Sequence, residues 1–353
     1  MKIRELLYKL THWESWHHHA KYIPISPVWL WYIIRSGTPW FFTASNPTLT
    51  FGGFEGEGKK EMYEQLPPGS YPATIYIAAN IPFIEVEKQI AGSGFSYPFI
   101  VKPNVGMMGF MFRRISNAAQ LKQYHDTLPI DYLVQQLIEY DVEVGMFYYR
   151  LPGQQKGTIS GLLKKEPAII IGDGTSSLEI LMRQKESIRF KIDDMLNRHE
   201  AFKNTVLAKD EKYYLSHASN RSQGGEMEVI NQEIDENLQR LADSFSHQSG
   251  KFYYGRYDIK CASIADLKAG KNFSILEFNG AGAGVQHIYG NGYSLWAAMG
   301  IILKHWKMMF LISRQNHKNG VAYWGLMKGW RHLKAAKQNL MMLKRMDANF
   351  PGF

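Results

Sequence analysis

Three oxygen-bearing side chains in this 353-residue chain stand at a spacing that can hold a divalent cation: Asp258 in YDIK, and Glu277 with Asn279 in ILEFNG. Residues i and i+2 of a strand point to one side, so Glu277 and Asn279 project together. If the strand carrying Asp258 pairs opposite them, all three converge on one face. Mg²⁺ takes hard oxygen ligands in octahedral geometry, commonly one or two carboxylates completed by nucleotide phosphates. An E-x-N spacing alone is a weak signal and better suits an edge strand with exposed polar residues.

A second group is Lys102, at the end of the apolar run YPFIVK and followed by PNVGMMG. A lysine on a rigid strand beside a glycine-bearing loop suits a nucleotide phosphate: loop amides donate hydrogen bonds and the ammonium supplies charge. No GK[ST] is present, so this is not a Walker loop. A third group is QQLIEYDVE, residues 135–143. There the backbone around Leu137 and Ile138, next to Gln135, could read an adenine edge, and Glu143 could accept from ribose hydroxyls. A plain strand, turn and strand is the simpler reading of that stretch taken alone.

In this order, over residues 98–284, the elements resemble the ATP-grasp superfamily. The resemblance is carried by IVKP at 100–103, IIGDGTSSLEIL at 170–181, SNRSQGGEM at 219–227, YDIK, and ILEFNGAGAG. The GDG-then-helix segment and the N-x-x-x-G-G loop look most like the branch with cyanophycin synthetase and glutamate–cysteine ligase. The E-F-N-x-x-x-G end is similar to D-alanine–D-alanine ligase. The resemblance implies an α+β fold in which two lobes grip ATP, with Mg²⁺ (one or two ions, Mn²⁺ as a substitute).

It also implies roles. Lys102 contacts the phosphates and the loop Gly106 to Gly109 closes over them. Gln135, Leu137 and Ile138 flank the base, and Glu143 holds the ribose. Asn220 and Arg221, with Gly224 and Gly225, cradle the γ-phosphate and an acyl phosphate. Asp258, Glu277 and Asn279 bind metal, and residues 280–284 shape the acceptor side. The implied activity is ADP-forming ligation of a carboxylate to an amine. A phosphotransferase, or a non-enzymatic membrane-peripheral protein with a relict site, is the alternative. The chain departs from the family in two ways. No second phosphate-contacting lysine is identifiable upstream, Lys88 lying nearby in no matching motif. The 95 or so residues before YPFIVK also lack alternating strand and helix signals.

The elements that must position these groups are read from periodicity and punctuation. Strands are expected at 97–102, in MFRRI, and at 132–138, 143–150, 168–171, 253–261 and 273–278. Helices are expected from Ser116 (as the cap) to 124, from Ser177 through about 196, at 234–245, at 294–312 and at about 323–346. Three parts follow: an atypical aromatic-rich N-terminal region (1–80), an ATP-grasp domain (81–293) and a basic helical tail (294–353). PVWLWYII at 27–34 suits either a core helix or a membrane interface. Adjacent His17, His18 and His19 point in different directions on a helix and make a poor metal site. Cys261, the lone cysteine, cannot form an intrachain disulfide and reads as a small buried hydrophobe.

The net charge of +9 is localised. Ten basic residues and one acid, Asp347, follow residue 303, while residues 1–303 sum to about zero. A neutral body with a basic amphipathic tail points to an anionic membrane surface or to packing on the core. No recognition motif supports nucleic acid. The N-terminus is not that of a secretory signal. No transmembrane helix is expected, because the nearest candidate, 295–312, is interrupted by Lys304, His305 and Lys307. The expected location is cytoplasmic, peripheral to the inner membrane face. The expected partners are small-molecule or lipid-linked carboxylate and amine substrates, with a homo-oligomer left open.

Overall fold

The computed structural model describes residues 12–16, 20–216, 224–289 and 292–350. In chain order its main elements begin with α1 (Ser26–Ser36), α2 (Lys59–Tyr63), β1 (Thr74–Ile77), α3 (Phe83–Gly92), β2 (Phe99–Pro103), β3 (Arg113–Ile115), α4 (Ala118–Thr127) and β4 (Tyr132–Gln136). Next come β5 (Val142–Tyr149), β6 (Thr158–Glu166), β7 (Ile169–Ile171), α5 (Leu178–Gln184), α6 (Ile192–Arg198), β8 (Lys212–Tyr214) and β9 (Glu226–Val229). The chain continues through α7 (Glu236–Ser249), β10 (Tyr254–Cys261), α8 (Ile264–Lys268) and β11 (Phe273–Asn279) to the long helices α9 (Leu295–Lys318) and α10 (Leu326–Asn349).

Two antiparallel sheets define two α+β lobes. The smaller has the order β1-β4-β2-β3 and the larger β11-β10-β5-β6-β9, while β7 and β8 form a separate ribbon. The hairpin expected around the glycine loop is present, with Phe99 opposite Ile115 and Val101 opposite Arg113. Strand β2 is buried along its whole length, which its uninterrupted apolar run requires. The α4 cap falls one residue later than expected. Asn117 Oδ1 accepts from the Gln120 amide at 3.0 Å, and Gln120 Oε1 accepts from the Ser116 amide at 2.7 Å.

The single helix expected from Ser177 is broken. Helix α5 stops at Gln184, and Lys185 is extended (φ −76°, ψ 111°). The break lets Leu178, Met182, Ile188 and Met195 pack into one cluster with Ile170 of β7. The longest strand, β6, was not anticipated. TISGLLKKE carries Gly161 and two lysines and does not alternate, yet Leu162, Leu163 and Lys165 are all buried.

Helix α9 seats on the N-terminal aromatic region. Tyr32 stacks on Phe310 at 4.4 Å, and Trp29 meets Trp306 edge-on at 5.0 Å. Helix α10 runs onto the small lobe, where Leu343 and Phe350 join the cluster built around Phe99, Tyr124 and Tyr132. Cys261 is a buried residue of β10, as its composition suggests.

Candidate active site

Strands β10 and β11 pair antiparallel with Asp258 opposite Glu277 and Arg256 opposite Asn279. The three oxygen-bearing residues therefore do share a face, Asp258 and Glu277 on one rung and Asn279 two rungs along the same ladder. Strand β5 continues that face: Gly145 lies opposite Asp258, and Glu143 lies opposite Lys260. On β6, Lys165 faces Glu143. A side chain at Gly145 would press on Lys165, Arg256 and Asp258, its Cβ reaching Lys165 Cε at 3.2 Å. The glycine leaves room for a buried charge cluster.

That cluster is tightly paired. Arg256 grips Asp258 with two parallel hydrogen bonds of 2.8 Å, and Lys165 Nζ donates to Asp258 Oδ1 at 2.7 Å. Asn279 Nδ2 donates to Asp258 Oδ2 at 3.1 Å. Burial works to raise the Asp258 carboxyl, but Arg256 and Lys165 outweigh it and hold the group well below the usual carboxylate range. Glu277 is less enclosed, its side chain 38% exposed, with Lys59 Nζ 3.3 Å away. Burial opposes its ionisation. Lys59, then Lys102 and Arg256, pull the carboxyl back down, and Asp258 works against them.

These donors fit a hard divalent cation. Both Asp258 oxygens already accept from Arg256, whereas Glu277 opens onto the cleft. Asn279 donates through its amide nitrogen, which leaves its Oδ1 an unused acceptor. One carboxylate and one amide oxygen, completed by phosphate and water, is an ordinary Mg²⁺ set. Asp258 sits behind that pair, as the anion that balances two buried cations. Among the described residues no group of three or more His, Cys, Asp or Glu is arranged to hold a metal by itself.

The small lobe supplies Lys102. It is buried on β2, and its Nζ donates to Tyr63 Oη at 3.0 Å and to the Leu276 carbonyl at 3.5 Å. Tyr63 also donates to the Leu276 carbonyl. Burial pushes the Lys102 ammonium down to about 8, with Glu277 pulling the other way. Gln135, on β4, is buried; its Nε2 donates to Thr74 Oγ1 at 2.8 Å. Leu137 and Ile138 follow β4, and the Ile138 carbonyl accepts from Lys260 Nζ at 3.2 Å. Glu143 lies 3.5 Å from Lys165 Nζ.

Lys59 was not anticipated by sequence reasoning. It lies at the start of α2 and ties Glu277 to the glycine loop, donating to the Gly106 carbonyl at 3.0 Å. It thus brings a cation from the N-terminal region to the glycine loop and the carboxylate-bearing strand pair. Lys88 is on the exposed side of α3, paired with Glu85 at 2.8 Å. The available signal was GGFEGEGKK, a glycine-rich run ending in two lysines.

A cleft is lined by residues 53–59, by Val105 to Met108, by Glu277, Asn279 and Gly282, and by Asn339 and Leu343 of α10. Within it burial pushes the Glu57 carboxyl up to about 7, with Glu277 adding to the shift. The N-terminal run docks along the glycine segment after β11: Ala281 and Gly282 amides donate to the Gly52 and Gly53 carbonyls at 3.0 and 2.9 Å. In the glycine loop itself, Gly109 turns at φ +76° and Met108 at φ +59°.

Of the expected residues, Gly106, Glu277 and Asn279 line this cleft, whereas Lys102, Gly109, Gln135, Leu137, Ile138, Glu143 and Asp258 are not among its lining residues. Gly224 turns at φ +83° against Ile188, ahead of β9, and neither it nor Gly225 is among the lining residues. Asn220 and Arg221 lie outside the described residues, as do His17 to His19. His287 is buried beside His305, with ring centroids 5.2 Å apart. Burial takes both imidazoles far down, and they read as core groups.

No protein-family model matches the chain. It is 28% identical over 137 residues to the glutathione biosynthesis bifunctional protein GshAB of Desulfotalea psychrophila, a match covering 34% of this chain and 18% of that protein. Among solved structures it is similar to a bifunctional glutathione synthetase from Pasteurella multocida (17% identity, 71% of this chain and 35% of that one, TM-score 0.40). It is also similar to D-alanine–D-alanine ligase from Bacillus anthracis (14% identity, 74% of this chain and 67% of that one, TM-score 0.37). The chain spans about a third or less of the length of the two bifunctional proteins. The geometry above is α+β, with two antiparallel sheets meeting at a glycine loop and a carboxylate-bearing strand pair.

Proposed function

We propose that the chain binds Mg²⁺-ATP between its lobes and activates a carboxylate as an acyl phosphate, which an amine then intercepts. The observation that carries this reading is the ladder pairing of Asp258 with Glu277, facing Lys59 and the glycine loop. Glu277 and Asn279 would hold the metal, which when bound neutralises charge on the transferring phosphoryl group. Lys102 and Lys59 would receive the β- and γ-phosphates.

Lys59 and Lys102 are the cations nearest the open carboxylate Glu277, while Lys165 and Arg256 are engaged by Glu143 and Asp258. Because Glu55 and Glu57 also line the cleft, an anionic ligand would need the metal's charge as well. A substrate carboxylate oxygen forms a bond to the γ-phosphorus as the bond to the β-bridging oxygen breaks, releasing ADP. The amine then attacks the acyl carbon, phosphate leaves, and the amine loses a proton. Glu57 is suitably placed in the cleft to accept it. Positioning and fixed charge supply the catalysis, and no protein nucleophile is needed.

The test is ADP and phosphate release by purified protein with Mg²⁺-ATP and either a soluble metabolite extract or a membrane lipid extract. Stimulated release of both products in equal amounts supports ligation and shows which pool holds the substrate. ADP without phosphate, and with a stable phosphorylated product, would instead mark a phosphotransferase.

A further inference from the structure

Helix α1 presents an exposed apolar stripe that none of the described residues covers. Leu30, Trp31 and Ile34 are 56%, 55% and 64% exposed, at helical spacings of one, three and four. The first turn of α10 presents a second set: Leu326, Met327 and Trp330 are 54%, 60% and 56% exposed. Trp40, six residues beyond Ile34 in the chain, touches the second set. Its indole donates to the Leu326 carbonyl at 3.1 Å, and its ring meets Trp330 edge-on at 5.5 Å.

The segments that carry these sets hold charge of one sign. Residues 20–54 and 294–346 contain no Asp or Glu. Arg35 lies over the Trp31 ring at 5.7 Å, Lys328 lies over Trp324 at 4.0 Å, and Arg331 and Lys334 are exposed on α10. Exposed Trp and Leu accompanied by Arg and Lys, on segments that carry no acid, complement an anionic bilayer surface and not a neutral or basic partner.

We propose that α1 and the first turns of α10 form a docking face for an anionic lipid bilayer. The tail's other apolar stripe is not available for this. Helix α9 is long and apolar enough to cross a membrane by length and composition, but Met299, Ile302 and Phe310 are buried in the aromatic cluster. The face also lies close to the cleft. Asn339, which lines it, is nine residues along α10 from Trp330, about 14 Å of helix rise. A headgroup-linked substrate at the bilayer would be within reach. The docking claim itself does not rest on the ligase reading.

The test is co-sedimentation of the full chain, without nucleotide, with vesicles of phosphatidylcholine alone and of phosphatidylcholine with 30% phosphatidylglycerol (about one lipid in three, a strongly anionic surface). The protein should sediment with the anionic vesicles and be released at high salt. The double variant Trp31→Glu/Met327→Glu should lose binding by roughly a hundredfold, whereas Ile180→Glu, on exposed α5, should bind as wild type. Folding of each variant is checked by its circular dichroism and thermal transition. Equal partitioning of the double variant and wild type overturns the proposal. So does absence of binding to anionic vesicles. A wild-type dimer dissolved by the same double substitution also overturns it, because the face would then join two copies.

Discussion

Asp258→Asn separates the two roles that this carboxylate could have. Its side chain is 11% exposed and meets Arg256 through two bonds of 2.8 Å and Lys165 at 2.7 Å. Removing one partner of a buried ion cluster leaves the others charged in a poorly solvated place, which costs about 3–5 kcal/mol. Asparagine keeps the shape and one acceptor, so the loss is electrostatic and not a cavity effect. With a urea m-value near 3 kcal/mol per M, the unfolding midpoint of metal-free protein should fall by roughly 1–1.7 M. The added change Lys165→Met removes one of the stranded cations and should recover part of that loss, with a coupling of about 0.5–3 kcal/mol. Tryptophan fluorescence during urea unfolding reads both. A midpoint within about 0.2 M of wild type in metal-free buffer would refute the balancing-anion account and return Asp258 to the set of plain metal ligands.

Two other perturbations read neighbouring parts of the site. Burial lowers the Lys102 ammonium to about 8; phosphate binds the charged form, so nucleotide affinity should be steady below that pH and fall about tenfold per unit above it. Titration calorimetry from pH 6.5 to 9.5 (roughly 1.5 units either side of that value) checks this, and Lys102→Met should bind weakly with no such slope. At Gly282 an added Cβ would sit 2.0 Å from the Phe54 carbonyl oxygen, so Gly282→Ala should displace the N-terminal run from the cleft. The expected cost is about 1–3 kcal/mol, read as a lower thermal midpoint, with a larger loss in turnover than in stability.

The parts of the site legible in the sequence are those encoded by strand alternation. YDIK and ILEFNG fixed which side chains share a face, and the register places Asp258 against Glu277. YPFIVK was legible for the opposite reason, as an apolar run buried on both faces. Strand β6 was not legible because its pattern is interrupted by Gly161 and by Lys165, whose burial depends on carboxylates from two other strands. Lys59 was invisible because its relation to Gly106 and Glu277 spans 47 and 218 positions along the chain. The split of the apolar faces of α9 and α10 into buried and exposed parts likewise depends on Trp29, Tyr32 and Trp40, far away in sequence.

The most direct measurement is calorimetric binding of a non-hydrolysable ATP analogue to the full chain, with Mg²⁺ and with EDTA, for wild type and Glu277→Gln. The account predicts binding that requires Mg²⁺ in the wild type. In the variant that requirement should be blunted, with affinity lower by about tenfold or more and the unfolding midpoint nearly unchanged. Nucleotide binding that ignores both Mg²⁺ and the substitution, or no binding by folded protein, would contradict it.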